Sequence, residues 1–387
     1  MKVSCLNNIS ENGLKHLTSN YQIVEDNHDS DLILVRSYKM HDYPINDNLL
    51  AIARAGAGVN NIPLEKMADN GIVVFNAPGA NSNAVKELVI AGMLMASRDL
   101  ISGYNWVKEN KSDKNILKSI EKAKKAFGGN EILGKTILVI GLGAVGGKVA
   151  NAASLLGMNV LGYDPYITDN AKRLLNSNVE LVDDLTKSYP KADFISLHLP
   201  LLDSTEHMIN EEIFNLLKEG TVLLNYARDQ LVKNEDLKVA IEKGIIKKYV
   251  TDFPNHYVAN LDNVIYFPHL GASTAESEEN CAIMSVNQLM NYVEKGEIEN
   301  SVNYPNIKLD RLTEKTRLLL LTKNDPSIAR EIDNIMDKLR DYIITKSSKV
   351  KGDYGYYVFD LNKNMPKDIY EKIKNIEGIN RVRIISN

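Results

Sequence analysis

The run Thr136-Ile-Leu-Val-Ile-Gly-Leu-Gly-Ala-Val-Gly146 decides the fold. Thr136–Ile140 is a short apolar segment of the kind that forms a buried parallel strand. Glycines follow at 141, 143 and 146, and a helical pattern begins there. Gly141 permits a tight turn, Gly143 lets a pyrophosphate approach the backbone, and Gly146 lets the helix pack closely on the strand. Ala144 and Val145 complete the loop. The helix N-terminus offers N–H groups and partial positive charge to phosphates. Asp164 follows the next apolar run, Asn159–Gly162. Its carboxylate can accept hydrogen bonds from an adenosine ribose, and no arginine stands beside it to meet a 2′-phosphate, so the pattern predicts NAD rather than NADP.

On both sides of this motif, apolar runs alternate with helical segments. Before it, Lys2–Leu6, Asp31–Arg36, Leu49–Ala53 and Ile72–Phe75 read as strands. After it come Val179–Val182, Asp193–Leu197, Thr221–Leu224, Lys248–Thr251 and Val264–Phe267. That rhythm predicts an α/β fold with two Rossmann- or flavodoxin-like doubly wound parallel sheets. The last portion changes rhythm to strand, helix, strand, strand, helix, strand, the βαββαβ order of a ferredoxin-like domain. The expected division is a substrate-binding domain from 1–97 and 272–303, an NAD-binding domain over 98–271, and a small domain over 310–387.

Composition sets the outer bounds. The 387 residues carry 46 basic and 50 acidic side chains, a net charge of −4, which argues against a nucleic-acid partner. No segment is long and apolar enough for a membrane span, and MKVSCLNNIS shows no secretory pattern, so a cytoplasmic setting is expected. Cys5 and Cys281 are too few for a disulfide framework, and the histidines lack metal-ligand spacing, so no metal is expected.

Two further motifs sit at predicted strand ends, where open α/β sheets place their ligands. Asn225-Tyr-Ala-Arg228 follows TVLL, and its arginine can grip a carboxylate through two parallel N–H···O bonds. Phe267-Pro-His269-Leu-Gly-Ala-Ser-Thr274 follows VIY, and its histidine can exchange a proton near neutral pH. A cofactor turn, a cation and a proton acceptor are what hydride transfer from an alcohol needs.

The GLGAVG turn, Asp164, NYAR and PHLGAST, in this order, resemble the D-isomer-specific 2-hydroxyacid dehydrogenases. IARAGAGVNNIPLE and GIVVFNAPGANSNAVKEL resemble the substrate-domain signature of the members that act on D-3-phosphoglycerate, and the C-terminal βαββαβ segment resembles their regulatory ACT domain. The resemblance implies NAD-dependent oxidation of D-3-phosphoglycerate to 3-phosphohydroxypyruvate, the first step of serine biosynthesis, by a homodimer or homotetramer. It implies that Arg228 binds the substrate carboxylate and carbonyl oxygen, and that His269 takes the hydroxyl proton. The backbone at Ala57, Gly58 and Val59 would hold the carboxylate, and Arg36, Arg54 and Asn81 are candidates for the phosphate end. His198, Leu199 and Pro200 would border the adenine pocket, with Ala227, Asp252, Gly271 and Ala272 near the nicotinamide.

Three departures stand out. The family's Glu-Pro pair, whose glutamate supports the catalytic histidine, is absent; His256 and Tyr257 stand about there. Either another acid, Asp252 or Asp262, supports His269, or the site is weakened. Asp229 replaces the usual glycine after the arginine, where a left-handed backbone is tolerated by aspartate. Ser327 replaces the glycine that serine-binding members carry after Pro326, which puts a serine effector in doubt. Two alternatives therefore stay open: a dehydrogenase of another D-2-hydroxy acid such as 4-phosphoerythronate, or an NAD-sensing binding protein without catalysis.

Overall fold

A computed structural model describes residues 1–26 and 28–387. The chain forms two compact units, one of Met1–Asn81 with Ala275–Asn387 and one of Ser82–Thr274.

The first unit opens with five parallel strands: β1 (Lys2–Cys5), β2 (Gln22–Val24), β3 (Leu32–Val35), β4 (Ala51–Arg54) and β5 (Val73–Phe75). Their order is β2-β1-β3-β4-β5, the flavodoxin-like arrangement. β3 is fully buried, as its unbroken LILV requires when both faces are covered. β2 is a short edge strand whose QIV stays largely exposed, so it carries little periodic signal.

The second unit holds seven parallel strands: β6 (Thr136–Ile140), β7 (Asn159–Tyr163), β8 (Val179–Leu181), β9 (Phe194–Leu197), β10 (Thr221–Asn225), β11 (Ile246–Thr251) and β12 (Val264–Tyr266). They run β12-β11-β10-β9-β6-β7-β8. The order reverses between β6 and β9, and the loops after these two strands flank the crevice in which such sheets bind ligands. The helix Ser82–Ser97 packs in this unit: Val85, Val89, Met93 and Ala96 join Ile137, Val139, Val149 and Val222 in one core. The polar stretch after it forms the helices Leu100–Glu109 and Ile116–Ala123.

The helix Ala275–Lys295 returns the chain to the first unit and buries Ala282, Val286, Leu289 and Tyr292 with Val3, Leu32 and Phe75. The chain ends in an antiparallel sheet of β13 (Thr316–Lys323), β14 (Ile343–Lys351), β15 (Tyr354–Leu361) and β16 (Ile379–Ser386), in the order β14-β15-β13-β16. With helices Pro326–Met336 and Lys367–Lys374 this is the ferredoxin-like arrangement. Leu318-Leu-Leu-Leu321 has no polar face, and strand alternation explains why. Leu318 and Leu320 face the two helices, with Ile332, Phe359 and Ile373. Leu319 and Leu321 face the other way, into the core of Val3, Leu34 and Tyr292.

Two arginines of this sheet stitch it to the end of the helix Ala275–Lys295. Arg383 donates to the carbonyls of Tyr292 and Val293, and Arg317 to that of Lys295 at 2.7 Å. The Tyr356 hydroxyl donates to Gly296 O at 2.6 Å. The last carbonyls of a helix have no partner within it, so the bonds to Val293 O and Lys295 O satisfy groups left open there, while Tyr292 O also accepts Gly296 N–H at 3.0 Å.

Candidate active site

In the second unit the glycine turn is built as its sequence requires. Gly141 has φ +91°, in the left-handed region, and a Cβ there would lie 2.6 Å from His198 O. A Cβ on Gly146 would lie 1.8 Å from Gly141 O, so only glycine lets the helix Gly146–Leu155 start this close to β6. At Gly143, by contrast, a Cβ would meet nothing within 4 Å. The turn is closed toward the protein and open at the position where a pyrophosphate approaches the backbone.

Asp164 closes the turn from β7. Its two oxygens accept from Leu142 N–H and Tyr166 N–H, both at 2.9 Å. A carboxylate has about four acceptor positions, so capacity remains for ribose hydroxyls. His198 N–H donates to Ile140 O at 2.8 Å, which places His198, Leu199 and Pro200 beside the turn. The His198 ring lies 2.8 Å from the Ser196 hydroxyl, and burial pushes its pKa down to about 4, so it is neutral at physiological pH. This donor set, open at Gly143 and ringed by Asp164 and a neutral histidine, fits NAD.

The strand-end residues converge further along the sheet. Ala227 is buried and its N–H donates to Asn225 Oδ1 at 3.2 Å. Asn225 also donates to Arg228 O at 2.8 Å and to the Tyr249 hydroxyl at 3.0 Å, so the arginine's backbone is tied down while its side chain stays exposed. Asp229 is not left-handed. It opens the short turn Asp229–Leu231, and both its oxygens accept from Asn255 Nδ2 at 2.9 Å.

His269 has φ +50°, unusual for a non-glycine residue, and its N–H donates to Asp252 O at 3.0 Å. Its exposed imidazole lies against the Phe253 ring, with centroids 4.6 Å apart. Asp252 is 1% exposed. Its Oδ2 accepts from Gly271 N–H at 2.8 Å, while Oδ1 is buried without a partner among the described residues. Burial pushes its pKa up; the Gly271 N–H and the charges of His269 and Arg228 pull the other way. Of the two acids considered for the missing glutamate, Asp252 therefore faces the cluster, whereas Asp262 is exposed. Gly271 sits against Val85, and Ala272 follows it. Asn255 and Phe253 were not foreseen as site residues; FPN directly after Asp252 is the only sequence signal that marks them.

In the first unit, Arg36 and Arg54 come together at adjacent strand ends. Arg54 Nε donates to Arg36 O at 3.0 Å. The Arg36 guanidinium pairs with Glu278 at 2.7 Å, in the first turn of the helix Ala275–Lys295. Asn7, which carries no motif, accepts the N–H groups of Arg36, Ser37 and Tyr38, each at 2.9 Å. Ala57 O accepts from Asn76 Nδ2, and among the described residues the N–H groups of Ala57, Gly58 and Val59 have no protein acceptor. Asn81 lies at the end of the same unit and makes no side-chain hydrogen bond among the described residues.

Residues 90–271 match the profile of the D-isomer specific 2-hydroxyacid dehydrogenase NAD binding domain. The chain is 30% identical to the D-3-phosphoglycerate dehydrogenase of Haemophilus influenzae, covering 87% of this chain and 81% of the relative. The chain belongs to the D-isomer specific 2-hydroxyacid dehydrogenase family. It is also 35% identical to the D-3-phosphoglycerate dehydrogenase of Methanocaldococcus jannaschii over 80% of its own length, but spans only 59% of that relative. Among solved structures it resembles the NAD+-bound 3-phosphoglycerate dehydrogenase of Entamoeba histolytica, with a TM-score of 0.60 at 26% identity, covering 78% of this chain and 98% of that one. Among the described residues no helix is long and apolar enough to cross a membrane.

Proposed function

We propose that the protein oxidises D-3-phosphoglycerate to 3-phosphohydroxypyruvate with NAD, in the cytoplasm and as a homo-oligomer. The observation that carries this reading is the convergence of Arg228, His269 and Asp252 at strand ends of the sheet that also bears the open glycine turn. NAD supplies the hydride acceptor. The exposed Arg228 guanidinium orients the substrate's carboxylate and the oxygen that becomes the carbonyl. His269 accepts the hydroxyl proton as the C2–H bond breaks, and the Asp252 charge stabilises the imidazolium that forms. The N–H groups at Ala57, Gly58 and Val59 bind the carboxylate, and Arg36, Arg54 and Asn81 take the phosphate, where Arg36 exchanges Glu278 for the ligand.

The small C-terminal domain acts on this reading as an ACT-type module without serine control. Support comes from its first loop, where Asp325 Oδ1 accepts both Ser327 N–H at 2.7 Å and its hydroxyl at 2.6 Å, so the N–H that a ligand would need is already engaged. The test of the activity is NADH formation by the full chain with D-3-phosphoglycerate, beside His269→Ala and Arg36→Gln. The expected result is turnover by the wild type, loss in the first variant and a raised KM in the second. Turnover confined to an unphosphorylated acid refutes the substrate. Null traces for wild type and His269→Ala alike, with NAD still bound, favour the binding-protein reading.

A further inference from the structure

Among the described residues, no acid is hydrogen-bonded to the His269 imidazole and no backbone group orients it. One aromatic ring packs against it from a neighbouring loop. The Phe253 ring lies 4.6 Å from the imidazole, tilted at 45°, and the Arg228 guanidinium carbon lies 5.7 Å from the same ring. Phe253 is thus in reach of both groups on which the proposed chemistry depends, and the guanidinium is further held by a bond from Nη1 to Ala227 O at 2.6 Å.

The loop that carries it is pinned on three sides. Phe253 N–H donates to Thr251 Oγ1 at 3.0 Å. Asp252 O accepts the His269 N–H, tying this loop to the histidine's own. Asn255 binds both oxygens of Asp229, which directly follows Arg228, and its Oδ1 accepts Val258 N–H at 2.8 Å. Asp229 and Asn255 therefore form a clamp that joins the arginine's loop to the phenylalanine's loop. The positively charged edge of one aromatic ring prefers the negative face of another, and a guanidinium is attracted to the same face, so one phenyl ring can restrict both partners.

We propose that Phe253 is the positioning residue of this site, holding the His269 imidazole and the Arg228 guanidinium in the place of the carboxylate contact that other members of the family use. The proposal rests on His269 and Arg228 acting as described above. A ring that positions reacting groups affects kcat more than binding, because misplacement by about 1 Å costs up to about a hundredfold in rate.

The test compares Phe253→Leu, which keeps apolar bulk, with Phe253→Tyr, which keeps the ring, in the full chain. Expected are a fall in kcat of about tenfold or more for leucine, recovery of most of it for tyrosine, and NADH affinity and melting temperature near wild type for both. Wild-type kcat in Phe253→Leu overturns the proposal, as does an equal loss in both variants. If the wild type does not oxidise D-3-phosphoglycerate, that substrate reading fails alone, and the imidazole signals of His269 in the NMR spectrum still decide. In wild type and Phe253→Tyr they carry an aromatic ring-current shift that Phe253→Leu abolishes; the same shift in all three proteins overturns the proposal.

Discussion

Asp252→Asn should make the protein more stable and a poorer catalyst at the same time. The carboxylate is 1% exposed, and among the described residues it has one N–H partner on Oδ2 and none on Oδ1. Burying an acceptor without a partner costs about 1–3 kcal/mol, and more when it is charged. Asparagine keeps an oxygen for Gly271 N–H and removes the charge. Its amide group inherits the unpaired position, so part of the gain is lost and about 1–2 kcal/mol should remain. At about 2–4 °C per kcal/mol for a unit of this size, the melting point should rise by a few degrees. Burial raises the folded-state pKa of Asp252, so the folded protein holds this proton more tightly than the unfolded chain. The penalty is therefore absent below the unfolded pKa of ~3.9, grows as pH rises from there toward the folded one, and is complete above it. The advantage of the variant should be full at pH 8 and vanish near pH 4. Trp106, the only tryptophan, lies in the same unit, so its fluorescence follows the unfolding of this unit alone. Catalysis should fall because the cation formed when the substrate proton is taken up would lack a negative charge beside it. A melting point below wild type at pH 8 would refute the reasoning, since it would mean that the buried charge is stabilising.

Three other outcomes are expected. Gly143→Ala should leave the melting point unchanged but weaken NAD binding by calorimetry about tenfold or more, because its Cβ meets no protein atom but fills the open face of the turn; Gly146→Ala, whose Cβ would lie 1.8 Å from a carbonyl oxygen, should lose both stability and binding, and equal behaviour of the two variants would contradict this. Asp360→Ala should cost about 3–5 kcal/mol in denaturant unfolding, because Arg317 is 4% exposed and its guanidinium bonds Asp360 through Nε at 2.6 Å and Nη2 at 2.8 Å; a loss below about 1 kcal/mol would place that pair in solvent. His198, with its folded pKa lowered to about 4, takes up a proton less readily than in the unfolded chain, so its contribution is intact above about pH 6.5 and is lost as pH falls toward 4, by at most about 3 kcal/mol; an NMR titration showing His198 protonating near 6.5 would remove that dependence.

Much of the site was legible because it consists of strand-end loops. Gly141, Asp164, Arg228 and His269 each follow an apolar run closely, and the rule that ligands sit at the carboxyl ends of parallel strands places them without coordinates. The Asp229–Asn255 clamp was not legible. Its partners lie on different loops, and neither residue type announces the other. The same holds for Asn7, whose single oxygen accepts three consecutive N–H groups, and for Glu278, which neutralises Arg36 from a helix far along the chain. The left-handed backbone at His269 also escaped, since residue type does not announce it; its N–H is shared there between Asp252 O and Phe267 O, each at 3.0 Å.

The amino-acid sequence by itself determined the strands other than the exposed edge strand β2, the parallel doubly wound sheets and the cofactor turn, because these depend on short-range periodicity and on glycines such as Gly141 and Gly146, where a Cβ collides. It also determined the βαββαβ order of the C-terminal part. Only the tertiary structure decided what covers the second face of that sheet. Leu318–Leu321 is apolar at every position, which tells of burial on both sides but not by what. Leu319 and Leu321 enter the core of the first five-stranded sheet, and Arg317 and Arg383 cap the helix Ala275–Lys295. Likewise, only the fold left Asp252 with one unpartnered oxygen beside His269. Hydrophobic pattern is a property of neighbours along the chain, whereas the pairing of a buried charge or a helix end depends on residues that meet only after folding.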